Sequence, residues 1–153
     1  MLKKYLVVVD ESKELENAIY FAASRAQKLN RSISLLYVID HAINAQWSKI
    51  ENLIEQEATS DAKKICRKWA QKIKDRFGIE CEIILKLGDR VDEILKLLRE
   101  DKTIRFLILA SASESEDPGP IIRALIGKKN KDLSIPIVIV PGSMSEKDID
   151  LIA

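Results

Sequence analysis

The stretch Tyr5–Asp10, YLVVVD, constrains the fold of this chain more than any other. Five apolar residues in succession leave no side of a strand for water, so this strand lies inside a sheet covered on both faces. An acidic residue then closes it, at the end where open α/β sheets hold their ligands. Asp10, followed by Glu11 and Ser12, is therefore the first candidate site residue.

Strand and helix patterns alternate from there. Leu15, Ala18, Ile19, Ala22, Ala26 and Leu29 recur at helical spacing and predict a helix over about 13–29, with Ser12 as N-cap and Glu14 and Glu16 in its first turn. Asn30-Arg31 breaks it, and residues 33–39 form a second, mostly apolar strand ending at Asp40. Ile50, Ile54, Ala58, Ala62, Ile65, Trp69 and Ile73 trace a core stripe along a helix that ends near Phe77, with Gly78 at its C′ position. Trp47 and Trp69 are expected to anchor that helix to the sheet.

A third strand follows from Ile79, where Cys81, Ile83 and Leu85 alternate with charged residues, the period of a partly exposed edge. Gly88 and Asp89 make the turn and cap of a third helix through Val91, Ile94, Leu95 and Leu98. The fourth strand, Ile104–Ala110, is apolar enough to be interior, and the polar loop from Ser111 to Gly119 leads to Pro120 at the start of a fourth helix. A fifth strand over Ile135–Val140 contains Pro136, which lacks a ladder donor and so places that strand at an edge. Residues 142–153 read as a polar tail in which Ile149, Leu151 and Ile152 dock as a turn of helix.

This alternation predicts one α/β domain over 1–153, an open five-stranded parallel sheet with right-handed crossovers and helices on both faces. Strands one, two and four are the most apolar, which favours the order 3-2-1-4-5 over 2-1-3-4-5. The order reverses between strands one and four, so Asp10 and the turn from Ala110 to Ser113 face each other across one crevice.

Composition narrows the function classes. Lys and Arg number 25 against 24 Asp and Glu, leaving no charge surplus that would point to nucleic acid or an anionic membrane. No apolar run approaches the roughly 20 residues of a membrane span, and Met1-Leu2-Lys3-Lys4 passes directly into a strand, so the expected location is the cytoplasm. Cys66 and Cys81 lack metal-site or redox spacing, and His41 is the sole histidine. Catalysis by His41 or a metal is not expected.

VVVDES at the first strand end, LLYVID at the second, LKLGDRVDEIL entering the third helix and IPIVIVPG at the last strand together resemble the universal stress proteins of the UspA type. The resemblance implies a Rossmann-like, adenine nucleotide alpha hydrolase-like domain, dimerisation through the last strands, and a stress-linked role without an established reaction. It also implies ATP or AMP lying across the crevice, with Asp10 towards the adenosine portion and Val38 against adenine. The family's phosphate-holding glycines fall here on Ala110, Ser113 and Arg123, followed by Ala124 where a hydroxyl residue would stand. Side chains at those positions crowd the approach of backbone N–H groups to phosphate, and Glu114, Glu116 and Asp117 would repel it. Ser111 and Ser113 offer hydroxyls, and Arg123, Lys128 and Lys129 offer positive charge. The candidate crevice is thus Asp10, Val38, Ala110, Ser111, Ser113 and Arg123, holding ATP, AMP or adenosine, or packed without a ligand.

Three other classes compete. A phosphorelay receiver shares the acidic pair near Asp10 but needs an acceptor Asp ending strand three and a Lys ending strand five, where this chain has Lys86-Leu87-Gly88 and Val140-Pro141. A nucleotide hydrolase would draw on Asp10, Asp40 and His41, without a P-loop, a Rossmann glycine fingerprint or a Ser-Gly-Gly pyrophosphatase loop. A protein-interacting homodimer without nucleotide would close the hydrophobic edge of Ile135, Ile137 and Ile139 against a second copy.

Overall fold

Asp89 is the N-cap that the Gly88-Asp89 pair predicts: its carboxylate accepts the N–H of Asp92 at 3.0 Å. Gly78 closes the long helix at φ 69°, donating its N–H to the Lys74 carbonyl. Between such punctuation marks the computed structural model, which describes residues 3–40 and 48–153, runs in alternating strands and helices. They are β1 (Lys4–Val8), α1 (Leu15–Leu29), β2 (Ser32–Ile39), α2 (Ser48–Phe77), β3 (Cys81–Leu87), α3 (Arg90–Glu100), β4 (Ile104–Ser111), α4 (Pro120–Ile126), β5 (Ile137–Pro141) and α5 (Glu146–Ile152). His41 and Trp47 lie outside the described residues. No described helix is long and apolar enough to cross a membrane.

The five strands form one parallel sheet in the order β3-β2-β1-β4-β5, as their apolar content predicted. Alternating side chains build two cores. Tyr5, Val7 and Val9 meet α1, α2 and α5 on one face, whereas Leu6 and Val8 meet α3 and α4 on the other. The β1–β4 register slips by one residue at Arg105, which leaves that charge outside the ladder and returns Phe106 to the side of Tyr5.

Four expectations need correction. Ser12 does not cap α1, because the helix begins two residues later, after Glu14, and Ser12 lies in the preceding turn, where its N–H is donated to the Asp10 carboxylate. Of the α2 stripe from Ile54 onward, the core part begins at Ala62, and Ile54 is exposed. Thirty residues of helix measure about 45 Å, roughly twice the length of the strand it covers, so its first turns overshoot the sheet. β5 starts at Ile137 rather than Ile135, since Pro136 contributes only its carbonyl, which accepts the Leu107 N–H. Finally, residues 146–152 form two helical turns in which Ile149 is fully buried while Leu151 remains 78% exposed, so one residue of the expected trio docks.

The amino ends of the strands are tied by charge. Lys4 Nζ reaches Asp101 at 2.7 Å and Glu82 at 3.1 Å, linking β1 to the end of α3 and the start of β3. Burial pushes the Asp101 carboxyl up, but the Lys4 ammonium and the Thr103 hydroxyl and amide outweigh it and hold its pKa below the ordinary value. A carboxylate with a depressed folded pKa stabilises above its unfolded pKa, and that contribution disappears as pH falls through the folded value. Asp101→Asn is therefore expected to cost about 1–3 kcal/mol at neutral pH. In urea unfolding the gap from wild type should narrow as pH falls through the folded pKa; an equal gap at neutral and strongly acid pH would contradict the assignment.

Candidate functional site

β1 has strands on both sides, but its neighbours are reached by helices on opposite faces, α1 towards β2 and α3 on the way to β4. Among the described residues no crossover covers the gap where β1 and β4 end, and a cleft of about 260 Å³ opens there. Val8, Asp10, Ser12, Glu14 and Leu15 form one wall, Leu109, Ala110 and Ala112 the β4 side, and Pro118 to Ile122 the opposite wall, with Arg90 reaching in from α3.

Two of the six expected site residues, Asp10 and Ala110, line this cleft together. Asp10 Oδ1 accepts the Ser12 N–H at 2.9 Å, which fixes the turn leading into α1. Val38 lies elsewhere: it is 3% exposed and packed within the α3–α4 core. Ser111 ends β4, where its carbonyl accepts the Gly142 N–H, and Ser113 is exposed in the loop beyond. Arg123 points to solvent on α4 and pairs with Asp117.

Sequence patterns alone did not single out two ionisable wall residues, Glu14 and Arg90. Arg90 had a readable signal: a turn leaving the carboxyl end of β3 emerges on the same rim of the sheet as the crevice. The wall residues thus include two carboxylates, Asp10 and Glu14, and a single guanidinium, Arg90. Nearby on β2, burial and then the Glu11 carboxylate raise the Tyr37 phenol, with Arg90 opposing them.

The loop over the cleft satisfies its own donors. Ala112 N–H goes to the Pro118 carbonyl, Asp117 N–H to Ser115 Oγ, and Gly119 N–H to Asp117 Oδ1 at 3.0 Å. Gly119 has φ 121°, a region closed to most side chains, and so lets the chain turn into Pro120.

Behind the Glu14 wall the chain after β5 is clasped onto α1. Asn17 Nδ2 donates to the carbonyls of Pro141, Gly142 and Met144. Tyr20 OH donates to Asp150, Lys28 holds the last carbonyls of α5, and Arg76 forks onto Glu146. Gly142 is pressed so close that an added Cβ would lie 2.5 Å from the Ser111 carbonyl oxygen and 2.6 Å from Glu14 Cγ.

Comparison with known proteins places these features in context. The model of the universal stress protein family matches residues 1–128. A universal stress protein of Helicobacter pylori is 30% identical, over 86% of this chain and 94% of its own length. Among solved structures, universal stress protein UspA from Lactobacillus plantarum superposes with a TM-score of 0.77 at 16% identity, covering 90% of this chain and 97% of that one. The universal stress protein from Archaeoglobus fulgidus in complex with dAMP gives 0.65 at 17% identity, covering 92% and 98%.

The contact at Gly142 yields a direct test. Gly142→Ala should force the β5 exit away from Ser111 and Glu14 and lower stability by about 1–3 kcal/mol. The urea midpoint should fall with an unchanged slope; an unaltered midpoint would show that the close approach is not required.

Proposed function

This chain belongs to the universal stress protein family, and we propose that it serves there as a non-catalytic binding domain whose crevice takes an adenine nucleoside or nucleotide. The observation that carries this reading is the cleft between the ends of β1 and β4, with Asp10 on one wall and Ala110 on the other. The dAMP bound by the Archaeoglobus fulgidus protein supports the ligand class. In this reading Asp10 and Ser12 accept and donate towards the ribose, Ala110 leaves room for the ring, and Ser111, Ser113 and Arg123 stand nearest any phosphate. Val38 is left out of contact, given its burial.

The chemistry present favours binding over turnover. Asp10 has an orienting task in its own turn, and a hydrolase would need a positioned base with a metal or basic clamp. We further propose a single cytoplasmic domain that acts in stress tolerance by changing what it holds.

Dimerisation is a second reading with its own observation. β5 is an edge strand, and Ile139 is 39% exposed on it, whereas Ile135 and Ile137 pack against the α3–α4 core. A second copy pairing along this edge would cover Ile139 and satisfy the open ladder.

Each reading predicts a measurement. Adenosine at a hundred times its Kd should stabilise the protein by about 2.7 kcal/mol. For a chain of this size the melting temperature should then rise by roughly 5–10 °C. Asp10→Ala should abolish the rise, and the absence of any rise with adenosine, AMP or ATP would overturn the ligand reading. Ile139→Lys should give a monomer in size-exclusion chromatography with light scattering; an unchanged dimer would place the interface elsewhere.

A further inference from the structure

We propose that the crevice selects a ligand without phosphate and that Asp117 is the residue that imposes this choice. The inference rests on the adenosine reading above and names the ligand class within it. A phosphate is held by two kinds of donor, backbone N–H groups and guanidinium forks. In this chain one carboxylate has taken one of each. Asp117 Oδ1 accepts the Gly119 N–H at 3.0 Å, and its Oδ2 pairs with Arg123. Two further loop donors are spent in the same way, Ala112 N–H on the Pro118 carbonyl and Asp117 N–H on Ser115 Oγ.

Ala112, Pro118 and Gly119 are wall residues, so this internal anion stands at the rim of the cleft itself. A phosphate arriving there would have to displace a carboxylate already joined to its donors. It would also face Asp10 and Glu14 on the wall and Glu114 and Glu116 on the loop, with Arg90 as the one cation among the wall residues. Like charges disfavour one another, more at the half-buried Asp10 and Glu14 than at the exposed Glu114 and Glu116. A neutral nucleoside meets none of this opposition. The cleft volume of about 260 Å³ is also small beside the roughly 300–1,000 Å³ of typical ligand pockets, which suits a compact ligand.

The test compares wild type with Asp117→Asn and Glu116→Gln, using calorimetry and thermal shift at low salt with adenosine, AMP and inorganic pyrophosphate as probes. Asn can still accept the Gly119 N–H but loses its hold on Arg123, whereas Glu116→Gln removes the same charge from the same loop. Wild type should bind adenosine at least as tightly as AMP and show no shift with pyrophosphate. Asp117→Asn should improve AMP relative to adenosine by about tenfold and gain a pyrophosphate shift, and Glu116→Gln should do neither.

AMP binding more tightly than adenosine in wild type, a pyrophosphate shift in wild type, or equal effects of the two substitutions would overturn the assignment to Asp117. If adenosine bound none of the three proteins, the adenosine reading would fall by itself. The pyrophosphate arm would still decide: a gain confined to Asp117→Asn upholds the role of Asp117, and no gain refutes it.

Discussion

The structure depends on one arrangement, the pairing of β1 with a parallel neighbour on each side while the connecting helices leave to opposite faces. Parallel strands need covered faces, and Leu6 and Val7 are accordingly sealed from water by two separate cores. The two ends of β1 then differ. At the amino end Lys4 is drawn between Glu82 and Asp101, which holds the neighbouring elements together by charge. At the carboxyl end no crossover among the described residues bridges the gap to β4, and the chain turns through Asp10 and Ser12 instead of continuing the ladder. The cleft follows from that topology before any side chain is chosen.

Side chains then decide what the cleft can accept. Backbone donors at such a position commonly suit anions, but here the loop from Ala112 to Gly119 folds onto its own carbonyl, hydroxyl and carboxylate groups. Acidic residues outnumber Arg90 on the wall. The C-terminal segment reinforces the other side: Asn17 gathers three carbonyls of the β5 exit, and burial together with the Asp150 carboxylate raises the Tyr20 phenol so that it remains a donor. A helix that looked like a tail is thereby part of the frame behind Glu14.

What could be read from the residues was whatever is encoded locally. The unbroken YLVVVD run, the period of two in β3, and the proline that delays β5 were sufficient for the strand order, and Asp89 and Gly78 marked helix ends correctly. Ser12 misled because it lies in the turn that Asp10 organises, two residues before the N-cap position that Glu14 occupies. The polar clasp on α5 was hidden for another reason: Tyr20, Lys28 and Arg76 meet it from 70 to 130 residues away, so no spacing pattern reports them. The site was legible to the same degree. Asp10 and Ala110 follow from strand ends, whereas Arg90 arrives by the placement of α3, and the capture of Arg123 by Asp117 depends on a loop conformation that composition does not specify.

The central claim is that the divergence of β1 and β4 is the place where this protein meets its ligand, and amide chemical shifts during an adenosine titration test it most directly. The account predicts saturable changes at residues 10–15, at Arg90 and across 109–122, with β3 and the β5 edge unmoved. Changes centred on β3, on the β5 edge or along α2, with the 10–15 and 109–122 amides silent, would contradict it.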